Sequence, residues 1–162
     1  MKRIGVISDT HLHGPDPGLG ELAAQHFSDV DLIIHAGDMV HLSVLDVFAG
    51  LDREVLAVCG NMDGPDVQSS YPAQHTIQVE GLKIGVMHGW GSPHGIRQRI
   101  LNTFERVDAI VYGHTHEAFS GNESGIFFFN PGSPTDSRFT RSRSMGIITV
   151  RGNSIEGEIL TL

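Results

Sequence analysis

Cysteine is almost missing from this sequence: Cys59 is the only one in 162 residues. A single thiol excludes an internal disulfide and any thiolate-rich zinc site. Cys59 follows the apolar run Val55–Leu56–Ala57–Val58, so it is expected as a small buried core residue. Long apolar stretches are missing too. None approaches the ~20 residues that cross a bilayer, and the N-terminal run Ile4 to Ile7 is too short for a signal-peptide core. The expectation is a cytoplasmic protein with no membrane partner. Positive charge is scarce, with 11 Lys and Arg against 19 Asp and Glu and a formal net charge of −8. Long nucleic acid is gripped through many Lys and Arg contacts to phosphates, so it is not an expected partner. An anionic substrate remains compatible with an acidic chain if bound cations supply the positive charge. Neither Gly-x4-Gly-Lys-Ser/Thr nor a helix-opening Gly-x-Gly-x-x-Gly occurs, which argues against nucleotide binding through a glycine-rich loop. No repeat, low-complexity tract or linker interrupts the chain, and residues 1–162 read as one domain large enough to bury a core.

Against these absences stand ten histidines, and their positions matter more than their number. Arg3–Ser8, Asp31–Ala36 and Glu54–Cys59 are continuous apolar runs, the pattern of strands buried on both faces. Between them, Gly20–Ser28 and His41–Gly50 carry apolar residues at helical spacing. This alternation predicts parallel strands joined by right-handed crossovers. Gly64–Gln74, with Pro65 and Pro72, reads as a loop; His75–Glu80 and Leu82–Met87 flank Gly81 as a hairpin. Ser92–Phe104 reads as a helix, Asp108–Tyr112 as a buried strand, and Ile126–Phe129, Ser144–Val150 and Ser154–Leu160 as a closing antiparallel group. The expected fold class is α/β (α+β): two mixed sheets packed together with helices outside.

Five of these strands end in polar residues of one kind. Asp9 and His11 follow the first, Asp38 the second, Asn61 the third, His88 the second hairpin strand, and His114 and His116 the Asp108–Tyr112 strand. The crevice beyond the carboxyl ends of strands is where open α/β sheets bind ligands. Asp9/His11 and His114/His116 are each two apart, which in extended chain puts both side chains on one side. Neighbouring glycines let the backbone turn sharply or approach an ion. Carboxylate, imidazole and amide oxygen without thiolate suit Mn, Fe, Co, Ni or Zn, and seven donors suit two ions sharing a carboxylate.

The series Asp9-x-His11, Gly37–Asp38, Gly60–Asn61-x-Asp63, His88 and Gly113–His114–Thr115–His116 resembles the signature of the calcineurin-like metallophosphoesterases. Asn130–Pro131–Gly132–Ser133 resembles a further motif of the small bacterial and archaeal branch without cap domains. The resemblance covers about residues 3 to 150. It implies a four-layer αββα sandwich and two divalent metal ions, manganese foremost. Asp9, His11 and His116 would hold one ion, Asn61, His88 and His114 the other, and Asp38 both. Asp38, Asn61 and His88 would then serve catalysis, Asn61 and His88 also binding substrate, with His13 and Trp90 as further substrate contacts. The implied activity is hydrolysis of phosphodiesters or small phosphomonoesters by a metal-bridging hydroxide. The branch also includes dimers and larger assemblies, so a homodimer or tetramer fits the resemblance.

One departure stands out. Where many relatives have a histidine after the asparagine, this chain has Met62, and a thioether donates no proton. The expected consequence is a preference for acidic leaving groups unless another group donates; His13, His41 and His94 are candidates because each lies near a ligand motif. His26 and His75 are expected on exposed faces, His35 as a satisfied core histidine, and Asp63 as a cap for Gly64–Pro65 as readily as a chemical group. Arg138, Arg141 and Arg143 form a basic cluster that reads as a solvated loop able to steer phosphate. The competing reading is a non-catalytic metal-binding scaffold of the same fold, since a retromer subunit resembling this family serves chiefly as an interaction module.

Overall fold

A computed structural model describes residues 1–162 and contains ten strands in two five-stranded sheets. In chain order these are β1 (Lys2–Ile7), β2 (Leu32–His35), β3 (Glu54–Ala57), β4 (Gln74–Val79), β5 (Leu82–Met87), β6 (Ala109–Val111), β7 (Phe119–Glu123), β8 (Ile126–Asn130), β9 (Ser144–Arg151) and β10 (Ser154–Thr161). One sheet runs β10-β9-β1-β2-β3, the other β4-β5-β6-β8-β7. Both are mixed. β1, β2 and β3 are parallel, in register Ile4↔Leu32 and Leu32↔Glu54, and β5, β6 and β8 are parallel in the second sheet.

Burial on both faces explains the continuous apolar runs of β1 and β2; β3, expected to be buried likewise, lies at the sheet edge with Glu54 exposed and Val55 and Leu56 only half-buried. Ile4, Val6, Ile34, Ile84, Val86, Val111, Phe129 and Ile148 fill the space between the sheets. Ile7, Ile33 and Ile147 point the other way, against helix α1 (Pro17–His26) and a 3-10 helix (Leu42–Leu51). On the far side, helix α3 (Ile96–Leu101) packs Ile96 and Ile100 onto Ile110, Tyr112 and Phe128. The order is helix, sheet, sheet, helix, the expected four-layer sandwich. None of these helices is long and apolar enough to cross a membrane.

Several element boundaries differ from the sequence expectation. The first helix begins three residues early because Asp16 caps it, its carboxylate accepting from Leu19 N at 2.8 Å, and Pro17 starts the first turn. The segment His41–Gly50 winds as a 3-10 helix. Gly64–Gln74 is not all loop: Pro65–Ser70 forms helix α2, with Pro65 in the first helical position, where a missing N–H costs nothing. The expected helix Ser92–Phe104 shrinks to Ile96–Leu101, starting after Gly95 at φ 74°. The closing antiparallel group divides: β9 and β10 pair across Gly152–Asn153, while β8 joins the other sheet parallel to β6 and antiparallel to β7. Strand β7, polar and short, has no apolar run to announce it. Cys59 is half-buried, because the chain leaves β3 at Ala57 and heads for the sheet rim.

Candidate metal centre

The carboxyl ends of β1, β2, β3, β5 and β6 open onto one rim, and each is followed by a residue singled out in the sequence. The backbone there is not extended. Asp9, His11, Asp38, His114 and His116 all have φ between 47° and 71°, a left-handed conformation that costs an L-residue roughly 1–2 kcal/mol. The two-residue spacings therefore converge through left-handed turns, not through strand alternation. Hydrogen bonds between loops hold the turns: Asp9 N donates to Gly37 O at 3.0 Å, His11 N to Asp38 O at 3.1 Å, and Gly113 N to His88 O at 3.1 Å. Strain of this kind collects where a site has to be held in shape.

At two glycines the reason is close approach. A Cβ on Gly60 would lie 2.2 Å from Asp38 Oδ1, and one on Gly113 would lie 2.0 Å from Ser8 Oγ and 2.7 Å from Asp9 Oδ2. The glycines make room for carboxylates pressed against the backbone.

Each central side chain is anchored by one atom and offers another. Asp9 Oδ2 accepts from Ser8 Oγ at 2.7 Å and from His114 N at 3.1 Å, while its buried Oδ1 has no hydrogen-bond partner. Asp38 Oδ1 accepts from Met62 N at 2.8 Å, which turns Oδ2 inward. His88 Nδ1 donates to Ala36 O at 2.8 Å and leaves Nε2 buried without a hydrogen-bond partner. The offered atoms converge: His116 Nε2 is 3.2 Å and His11 Nε2 3.8 Å from Asp9 Oδ1, and Asp38 Oδ2 is 3.1 Å from His88 Nε2 and 3.7 Å from His11 Nε2. Two overlapping groups can each hold an ion, Asp9–His11–His116 and Asp9–Asp38–His88. Buried ligand-type atoms that converge without hydrogen bonds fit a divalent cation.

Burial pushes both carboxyls upward, yet both titrate below their usual range: the facing His11 and His116 imidazoles and the charge of His88 hold Asp9 down, and His88 and Met62 N hold Asp38. Burial pulls His88 down, but Asp38 and Asp9 raise it to about 9, and Asp9 raises His11. The two ionised carboxylates draw positive charge to their centre, either as protons on the imidazoles or as a cation that displaces those protons.

Asn61 and His114 sit at the rim of this cluster. Asn61 Oδ1 is 3.1 Å from His114 Nδ1, and His114 Nε2 is 2.8 Å from Gly91 O. The His114 ring meets His88 edge-on at 5.4 Å. Cavities open on both sides of the exposed Phe139 ring. One, of about 300 Å³, is bounded by His11, Asp38, Asn61, Met62, Arg138 and Phe139. The other, about 710 Å³, is bounded by Pro93, His114, Glu117, Phe139, Arg141 and Ser142. His114 and His116 border both. The exposed His13 and His41 rings lie 5.6 Å apart, tilted by 50°, Trp90 lies against Arg99, and His94 is exposed; none of them lines either cavity.

Other residues the sequence singled out have structural roles. His35 is fully buried, 3.1 Å from Thr10 Oγ1 and accepting from Gly37 N at 3.2 Å. Asp63 does not cap Gly64–Pro65. Its carboxylate accepts from Asp38 N, Val40 N and Gly60 N at 2.7–3.0 Å, tying the loops after β2 and β3 together. His75 is exposed and His26 half-buried. Ser133, in a motif quoted for its resemblance alone, donates to Asp9 O at 2.7 Å, and Asn130 Nδ2 donates to Gly113 O at 3.0 Å. Asp136, unremarked in the sequence, lies buried 3.7 Å from His116 Nδ1. No motif flags it, because its partners are distant or two residues away.

Residues 1–153 match the family model of the calcineurin-like phosphoesterase superfamily domain, so the chain belongs to that superfamily. It is 41% identical over 135 residues, 82% of this chain and 68% of the relative, to a probable metallophosphoesterase of Methanocaldococcus jannaschii. It is 32% identical over 146 residues, 80% of this chain and 82% of the relative, to a phosphodiesterase of the same organism. Among solved structures, Vps29 of Chaetomium thermophilum superposes with a TM-score of 0.76 at 17% identity, covering 99% of this chain and 98% of that one, a likeness of fold alone.

Proposed function

We propose that this chain is a dinuclear metal-dependent phosphodiesterase. The observation that carries the reading is the set of buried inward atoms without hydrogen bonds, Asp9 Oδ1 and His88 Nε2 above all, amid other donors of matching type. Asp9, His11 and His116 would hold one ion, and His88 with Asn61 and His114 the second. Asp38 Oδ2, 3.1 Å from His88 Nε2 and 3.7 Å from His11 Nε2, lies between the two sets and suits a shared ligand. Asp9 belongs to both geometric groups and extends the sharing. Oxygen and nitrogen donors accept manganese, iron, zinc, nickel or cobalt, and manganese is the ion that the family resemblance puts first. Bound as a pair, such ions supply an activated water and neutralise charge on the phosphoryl oxygens. The chain's own part is to orient the phosphoryl group with Asn61 at the rim; His88, expected to share that role, is buried, with Nδ1 held by Ala36 O and only Nε2 left to act as a ligand.

Two cavities meeting at Phe139 favour a diester over a monoester. A phosphoryl group at the cluster projects two organic arms when it is a diester, and each cavity receives one. At 57% exposure, Met62 offers no proton at the smaller cavity, so acidic leaving groups are preferred. The setting proposed is the cytoplasm.

A non-catalytic interaction module of this fold is the second reading, favoured by Met62 and by the fold shared with Vps29. Hydrolysis of an aryl phosphodiester and the matching monoester, with manganese added, separates the two. The diester is expected to turn over at least tenfold faster, and Asp38→Asn to lose at least 100-fold. No turnover of either ester with any divalent metal moves the assignment to the scaffold.

A further inference from the structure

Of the buried imidazoles that face the cluster, His116 is the one whose outer nitrogen has no hydrogen bond. His88 Nδ1 is fixed by Ala36 O at 2.8 Å, whereas His116 Nδ1 is buried without a hydrogen-bond partner. The nearest acceptor is Asp136 Oδ2 at 3.7 Å, longer than a normal hydrogen bond but within ion-pair range. Asp136 is only 7% exposed. Its own position is heavily specified. Arg138 Nε donates to both carboxylate oxygens at 2.9 and 3.1 Å, Arg138 Nη2 donates at 2.6 Å, and Asp136 N donates to Ser133 Oγ at 2.9 Å. Ser133 in turn donates to Asp9 O, and Thr135 Oγ1 to Thr10 O at 2.6 Å. The edge of Phe139 packs on the His116 ring at 5.1 Å. Residues Ser133–Phe139 thus reach from the backbone after β1 to the side chain of His116.

We propose that Asp136 is a positioning residue for His116: it is the acceptor for Nδ1–H, fixing the tautomer and the ring so that Nε2 faces the metal centre. The proposal rests on the metal-centre reading given above. Histidines that bind metals are generally oriented through the other ring nitrogen by a carboxylate or carbonyl. Ala36 O does this for His88; Asp136 does it for His116. Arg138 holds the carboxylate in place and balances its charge. The plainer alternative makes Asp136 and Arg138 a staple for their own loop, with no consequence for the ion.

Titration of manganese into the metal-free protein, followed by calorimetry, tests this without any substrate. Asp136→Ala is expected to weaken one of two binding events by about 10–100-fold. Asp136→Asn, whose amide oxygen still accepts a hydrogen bond, is expected to recover much of that loss, and Arg138→Ala to lose less than Asp136→Ala. Nitrogen NMR of the His116 ring is expected to show one defined tautomer in the wild type and its loss in Asp136→Ala. Wild type that binds no metal overturns the underlying reading. Wild type that binds two ions, beside an Asp136→Ala protein with unchanged affinity and ring tautomer, overturns this proposal alone. Equal losses in Asp136→Ala and Arg138→Ala also overturn it in favour of the staple. If circular dichroism shows Asp136→Ala unfolded, the decision passes to Asp136→Asn: affinity within threefold of wild type with an unchanged tautomer supports the proposal, and loss of both overturns it.

Discussion

Met62 combines two roles in one residue. Its backbone N–H orients Asp38, while its side chain borders the smaller cavity beside Asn61. Backbone duty tolerates any residue there except proline; in the proposed reaction the side chain would decide what chemistry reaches the leaving group. In the Met62→His variant an imidazole stands at the cavity wall, and general acid catalysis is worth about 10²–10⁴-fold. Alkyl phosphodiesters are expected to gain at least tenfold in kcat, nitrophenyl diesters far less, and the pH–rate profile to acquire a further limb. Identical profiles and leaving-group dependence in the two proteins would rule this role out. His35 shows the opposite use of an imidazole. Burial lowers its pKa from 6.5 to about 4, so the folded chain keeps it neutral where the unfolded chain protonates it. The unfolded state then binds more protons between those values, and stability is full above pH 6.5 and falls towards pH 4. The slope from this group approaches about 1.4 kcal/mol per pH unit. Urea unfolding at pH 7 and pH 5 is expected to show a smaller acid loss in His35→Gln; an unchanged difference would sink the assignment.

At the scale of elements, the loops after the strands matter more than the strands themselves. Asp63 ties the loops after β2 and β3 by accepting three backbone N–H groups, and it is 4% exposed. Asp63→Ala leaves buried donors unpaired, at a cost of about 1–3 kcal/mol for a single group. The expected result is a loss of at least about 3 kcal/mol in urea unfolding, with weaker manganese binding because Asp38 shifts. A loss below about 1 kcal/mol means that water replaces the carboxylate without consequence. Such loops are only half legible in sequence. Asp63 was visible by its place in a motif, but its targets Asp38 and Val40 lie more than twenty residues away. The buried strands β1, β2 and β6 were readable because apolar runs announce two-sided burial. Helix α2 was misread because Pro65 looks like a breaker and is in fact a first-turn residue.

At the scale of the whole molecule, the proposed centre is possible because two sheets end at the same rim. Asp9, Asp38 and Asn61 come from one sheet, and His88, His114 and His116 from the other. An ion that ties the two sheets together binds the folded chain only, so it stabilises that chain by mass action. At 100 times its dissociation constant the gain is about 2.7 kcal/mol. For a domain of this size that raises the melting temperature by about 5–10 °C. Manganese is expected to produce this shift and a chelator to reverse it; an unchanged melting temperature across saturating metal argues against a site between the sheets.

The sequence alone determined the candidate donors, their order and their place at strand ends, because residue type and apolar periodicity are local properties. Tertiary structure decided which atom of each donor turns inward. It replaced the supposed extended spacing with left-handed turns, sent β8 to the sheet opposite β9 and β10, and brought Asp136 behind His116. Those outcomes depend on partners far along the chain, and no local pattern encodes the distance between two side chains that meet only when the sheets pack.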